Sequence, residues 1–216
     1  MGCPNFIGLT YLHIFLGTLI SAGAAVLNPL EKIGINTENM LVDILLAIVI
    51  IALLFLVVYL KPGPLKYVVF VIFVMLMGTS LRKLVEEFNG KNILVDVLTT
   101  ISGIFLTMTA VGFWDKQNIL GFEVYLFAAL IGLILGRLGF GAAMLIGAPK
   151  ENLSGVSHIL SLVATFIFSI YVAYDTQVLK ENARKCKSHP DYINSALGLY
   201  LNILNLFVNT GDLMDD

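Results

Sequence analysis

The sequence predicts an all-α integral membrane protein of seven transmembrane helices, and three observations carry that reading. Of 216 residues, 58% are hydrophobic and only 13% charged, against about 45–50% and about 25% in soluble domains. The apolar residues fall in long runs rather than in alternation, giving a mean hydropathy of +0.90, and most runs approach the ~20 residues that cross ~30 Å of hydrocarbon. Glycine is common (19) and proline is not (6), as suits helices that meet closely through small residues.

The spans are taken in order as Phe6–Leu27, Met40–Leu60, Leu65–Leu81, Ile93–Trp114, Ile119–Leu145, Leu153–Val178 and Tyr192–Asn209. The first has no basic segment before it, so it reads as a helix and not as a cleavable signal. The second and fourth carry Asp43 and Asp96 near their starts, where a carboxylate reaches the headgroups or favours the positive end of the helix dipole. The third is short, with room to run on through Arg82–Glu87 at the interface. The fifth carries Glu123 near its start and is long enough to tilt, or to break at Gly136, Gly139 or Gly141. Arg137 depends on that choice: if the helix ends near Gly139 the guanidinium snorkels, and if it continues the charge is buried and wants a carboxylate. The connections are short and leave no room for a soluble domain, so residues 1–216 read as a single membrane domain.

Seven spans put the termini on opposite faces. Lys61, Lys66, Lys116, Lys180, Arg184, Lys185 and Lys187 fall on one, and Lys32, Arg82, Lys83, Lys91 and Lys150 on the other. The excess of seven over five places the N-terminus in the cytosol by the positive-inside rule.

Several classes are disfavoured. A net charge of −2 argues against a nucleic-acid partner. No nucleophile–base pair, metal-ligand cluster or phosphate loop appears, which argues against an enzyme. No Asn-Pro-x-x-Tyr pattern or last-helix lysine supports a seven-span receptor. Cys3 and Cys186 lie outside the apolar runs and read as two isolated thiols. Met1-Gly2-Cys3 resembles the start of an acylation signal, but Phe6 stands where Ser or Thr is expected. His13 and His158 are isolated, and hydrogen bonding between helices accounts for each better than metal ligation.

The informative stretch is the last pair of spans. Asp175 comes late in the sixth, preceded by Tyr174 and followed by Thr176 and Gln177. An ionisable group inside a membrane segment is costly unless paired or hydrated, so it marks a functional site. On the seventh, Gly198, Asn202, Asn205 and Asn209 recur at spacings of four, three and four, which aligns them as a polar stripe on one face. Asp175 is some eight residues before the loop near Ala183 and Asn202 about twelve after Pro190, ~12 Å and ~18 Å along their helices. An antiparallel hairpin therefore brings them to similar depths. Hydrogen bonds that merely join the helices would explain the stripe alone; with a carboxylate beside it, an ion path is the better account.

Tyr174-Asp175-Thr176 and Leu199-Tyr200-Leu201-Asn202-Ile203-Leu204-Asn205-Leu206-Phe207, with Gly78 in Met77-Gly-Thr-Ser-Leu81, resemble the signature of the transmembrane Bax-inhibitor-motif family. Tyr174-Asp-Thr-Gln177 and Tyr192-Ile-Asn-Ser195 are also similar to its mitochondrial branch. The resemblance implies six helices surrounding a central C-terminal seventh, and a calcium leak across the membrane with calcium as permeant ion and no cofactor. It further implies Asp175 as the main pore residue and a weak calcium site, lined with Asn202 and Asn205, with Tyr174 beside it. In the family a second aspartate stands in a Leu-Tyr-Leu-Asp pattern where this chain has Asn202. Two such carboxylates share a proton and sense pH; an amide donates to Asp175 at any pH, so pH sensing is expected to be blunted. The family's latching arginine at the end of the second helix has only Lys61 near its place.

Two other functions compete with the leak. One is a non-conducting regulator of cell death that acts through other membrane proteins, among them cell-death regulators; the other is a cation/proton exchanger. An endomembrane such as the ER or Golgi is the expected location in a eukaryotic or viral setting.

Overall fold

The computed structural model describes residues 3, 5–32, 34, 39–114, 119–147, 150–186 and 190–215, and among them every regular element is a helix. Met1, Gly2, Lys116 and Lys187, which enter the acylation and charge arguments, lie outside the described residues. The order is α1 (Phe6–Leu27), α2 (Pro29–Lys32), α3 (Met40–Tyr59), α4 (Pro64–Ser80), α5 (Arg82–Gly90), α6 (Leu94–Phe113), a 3₁₀ turn (Ile119–Phe122), α7 (Glu123–Leu145), α8 (Lys150–Lys185) and α9 (Tyr192–Met214). Five helices are long and apolar enough to cross a membrane, and α4 with α5, bent by 42°, makes a sixth if the pair is one span. The third span thus runs on past Leu81 as α5. In α9 the length is present, but its four asparagines and Asp212 dilute the apolar content.

One boundary that the sequence leaves open is decided, and one departs from expectation. Helix α7 runs unbroken through Gly136, Gly139 and Gly141, which decides the fate of Arg137. Helix α8 continues past Val178 to Lys185; at 1.5 Å per residue it is ~54 Å long and exceeds the hydrocarbon thickness. The added turns are Lys180-Glu-Asn-Ala-Arg-Lys185, charged but mostly strong helix formers.

The described residues form two compact units, one of residues 1–89 and 181–200, the other of residues 90–180 and 201–216. In the first, α1 lies against α4 at a close approach: a Cβ on Gly78 would sit 2.1 Å from the Ser21 carbonyl oxygen. Only glycine permits the backbones to come so near. Ser21 Oγ donates to the Val74 carbonyl at 2.7 Å and lies 2.7 Å from the Tyr200 hydroxyl. Tyr200 is fully buried, with Phe70 and Phe73 edge-on to its ring.

The same unit holds two further ties. Lys66 is 1% exposed, and its Nζ donates to Asp191 Oδ2 at 2.6 Å and to the Leu60 carbonyl at 2.9 Å. Cys3 and Cys186 are joined in a disulfide, their Cα atoms 5.7 Å apart. This corrects the reading of two isolated thiols: residues separated by 183 positions meet because the fold returns the end of α8 to the start of α1. His13 uses Nδ1 on the Leu9 carbonyl of its own helix, 2.6 Å away, and stacks on Tyr192.

The second unit is joined at a similar close approach. A Cβ on Gly112 would fall 2.6 Å from the Ala173 carbonyl oxygen. Gln177 Oε1 accepts from the Ile119 and Leu120 amides at 3.0 and 3.3 Å, satisfying the opening of the 3₁₀ turn. Lys180 Nζ donates to the Phe113 carbonyl at 2.8 Å, a cation on the C-terminal end of α6.

Candidate functional site

The site is built from α8 and α9. Between Val156 and Lys185 helix α8 contains neither Gly nor Pro, so nothing interrupts it around Asp175, ten residues before its end. The side chain is partly buried, flanked by buried Ala173, Thr176 and Gln177. Thr176 turns its hydroxyl back onto the Val172 carbonyl at 2.7 Å, so it adds no free donor to the site.

Asn202 Nδ2 donates to Asp175 Oδ2 at 2.8 Å. The hairpin thus brings Asp175 and Asn202 to the same depth, as their distances from the loop predict. Asn202 is only 5% exposed, and its amide is committed by chemistry: a carboxylate accepts, so the NH₂ end must face it. The bond uses the nitrogen end of the Asn202 amide and one Asp175 oxygen.

Asn205 is half-buried and donates to the Leu201 carbonyl of its own helix at 2.9 Å. It is one turn from the pair but is not bonded to Asp175. Tyr174 is half-buried, its ring edge-on to Tyr171 with centroids 6.1 Å apart. Lys61 stands exposed between α3 and α4; the buried lysine of that region is Lys66, engaged with Asp191.

Arg137 is drawn to a different cluster. Its Nη2 donates to Asn209 Oδ1 at 2.5 Å and to Ser161 Oγ at 2.9 Å, and lies 3.9 Å from Asp212 Oδ2. Ser161 Oγ in turn donates to Asp212 Oδ2 at 3.2 Å. Because α7 continues past Gly139, the second of the two sequence alternatives applies: the guanidinium is partly buried and finds its carboxylate. Ser161 and Asp212 were not singled out from sequence. The signal for Asp212 was available, since it extends the stripe by three residues beyond Asn209.

The other carboxylates behave as interfacial groups. Asp43, Asp96 and Glu123 each lie in the first turn of a helix and are exposed, and Asp43 accepts from Lys83 at 2.6 Å. Among the described residues no three or more His, Cys, Asp or Glu side chains gather as they would to hold a metal ion. A cation at Asp175 would meet one carboxylate and neutral oxygens, a weak arrangement for calcium.

Comparison with known proteins gives these features a context. A sequence profile described as inhibitor of apoptosis-promoting Bax1 matches residues 3–214. Protein LIFEGUARD 3 of Arabidopsis thaliana is 31% identical over 153 residues, 69% of this chain and 57% of its own length. An uncharacterized membrane protein of Streptococcus pyogenes serotype M3 is 26% identical over 152 residues, 69% of this chain and 62% of its own. An uncharacterized protein of Deinococcus radiodurans is 24% identical over 210 residues, 94% of this chain and 87% of its own. The chain thus spans less than two thirds of the length of the plant and streptococcal relatives.

Proposed function

The chain belongs to the Bax inhibitor-1 family of multi-pass membrane proteins, and from that premise we propose that it is a calcium-permeable leak channel, modulating organellar calcium and through it the sensitivity of cells to death signals. The observation that carries the reading is the Asp175–Asn202 bond: a carboxylate set within an apolar helix, held by an amide from the next. Left alone such a group would be expelled or neutralised, so keeping it in place has a cost that function explains. In this reading α9 is a seventh span with the other six around it, which accounts for a helix too polar to face lipid on all sides.

The proposed path runs past Asp175, Asn202 and Asn205. A cation exchanges part of its hydration for the Asp175 carboxylate and amide oxygens, then leaves because one negative charge holds a divalent ion only loosely. The amide donor of Asn202 does not titrate, so it supplies the same hydrogen bond across the physiological range. The pH response is accordingly blunted. We place the protein in an endomembrane with the N-terminus cytosolic, as the lysine and arginine count directs. On a cytosolic face the Cys3–Cys186 disulfide would be under redox control, since reducing compartments keep thiols apart.

The amide at Asn202 also favours a second reading, a non-conducting regulator of cell death that works through other membrane proteins. Flux decides between them. Purified protein in proteoliposomes should pass calcium, Asp175→Asn should abolish most of the flux, and the wild-type rate should change little between mildly acidic and mildly alkaline buffer. Absence of flux above empty liposomes, in the wild type and in its charge variants alike, would transfer the assignment to the regulator.

A further inference from the structure

The polar stripe of α9 does not end in open space. Beyond Asn202 and Asn205 it reaches Asn209, which is 5% exposed and has both ends of its amide engaged: Oδ1 accepts from Arg137, and Nδ2 donates to the Asn205 carbonyl at 2.7 Å. The arginine is fixed from three sides, by Asn209, by fully buried Ser161 and by Asp212. Ser161 closes a ring, accepting from Arg137 and donating to Asp212.

Position along the helices separates this cluster from the Asp175 pair. Ser161 precedes Asp175 by fourteen residues on α8, and Asn209 follows Asn202 by seven on α9, ~21 Å and ~10 Å of rise. The two clusters are successive stations on one antiparallel helix pair, the first built on the Asp175 carboxyl and the second on the Arg137 guanidinium with Asp212 beside it.

We propose that Arg137 is the gate of the cation path: a fixed positive charge that closes the far end of the α9 stripe, held in place and partly offset by Asp212. This inference rests on the leak reading. The guanidinium is a fixed cation, so the barrier is part of the folded chain itself. A divalent ion meets twice the repulsion that a monovalent ion meets at the same distance. Asn209 reinforces the closure, because the oxygen it could present to a passing ion is occupied by the arginine.

The test compares wild type, Arg137→Gln, Arg137→Lys, Asp212→Asn and Asp175→Asn in proteoliposomes, reading calcium and potassium flux. Arg137→Gln should raise calcium flux on the order of tenfold and potassium flux by less, while Arg137→Lys, which keeps the charge, should stay near wild type. Asp212→Asn removes the offsetting charge and should lower calcium flux, opposite in sign to Arg137→Gln. It also serves as the deciding variant if Arg137→Gln does not fold. Equal rises in calcium and potassium, a leak in Arg137→Lys as large as in Arg137→Gln, or a rise in Asp212→Asn would reduce Arg137 to a packing residue and overturn the gate. Wild-type flux that requires Asp175 but is unchanged in Arg137→Gln sinks the gate and leaves the leak standing. A silent wild type with a conducting Arg137→Gln supports the gate and shows the path closed at rest; silence in every variant removes both.

Discussion

Asp175 on α8 and Asn202 on α9 are joined by a single 2.8 Å hydrogen bond in which the amide donates and the carboxylate accepts. The pair has the geometry of two carboxyl groups sharing a proton, with the proton made permanent by the chemistry of the amide. An amide of the same size keeps the contact without adding a second group that responds to pH.

Asn202→Asp should return that response. Two carboxylates this close cannot both ionise cheaply, so they hold a proton between them and release it as a coupled pair. The variant should show a calcium flux that varies more steeply with pH than wild type, measured in the same proteoliposomes. Superimposable pH profiles for the two proteins would remove the amide as the cause of blunted sensing.

Gly78→Ala and Gly112→Ala should each destabilise the protein by about 1–3 kcal/mol, the usual range for overpacking a tight contact. The added methyl carbon would meet backbone, the Ser21 carbonyl in one case and the Ala173 carbonyl in the other, and backbone cannot swing aside. Gly23 and Gly103 have nothing within 4 Å, so Gly23→Ala and Gly103→Ala are the controls and should be neutral or mildly stabilising. Thermal unfolding in detergent compares the four. A loss in the controls as large as in the test pair would mean that the close approaches are not what these glycines serve.

Much of this architecture was legible because membrane helices announce themselves by length and apolarity, and because a polar residue inside one is conspicuous. Asp175 and Asn202 could be paired from residue counts alone, since the hairpin fixes depth. The charged end of α8, Lys180–Lys185, looks like a loop by charge, yet lysine, glutamate, alanine and arginine are strong helix formers. Arg137 hung on whether glycines break α7; they do not, since Gly136 sits beside Leu160, Gly139 and Gly141 have open space around them, and a glycine within a helix costs only about 1 kcal/mol against alanine. Cys3 and Cys186 carry no local signal of partnership at a separation of 183 residues. Only the tertiary fold could reveal it.

Reduction of the Cys3–Cys186 disulfide should lower the unfolding midpoint, by an amount equivalent to about 2–4 kcal/mol. The bond ties the entry to α1 to the exit from α8, closing a long stretch of chain. Non-reduced protein should take up no maleimide, and reduced protein should take up two per chain. Full labelling without reductant would show that the pair does not form in the membrane from which the protein was prepared.

Lys66 and Asp191 pose the last test, because the two partners differ so much in exposure, 1% against 27%. Removing the carboxylate leaves an ammonium buried with only the Leu60 carbonyl as partner, whereas removing the lysine leaves a carboxylate that water can still reach. Asp191→Asn should therefore be the more damaging single change, on the order of 3–5 kcal/mol, and Lys66→Met the milder. The double variant, Lys66→Met with Asp191→Asn, should recover much of the loss, since no charge then remains in the apolar site. A double-mutant cycle on thermal unfolding gives the comparison directly. Additive losses would mean that the two groups are not coupled, and that the start of α9 is held to the start of α4 by apolar contacts instead.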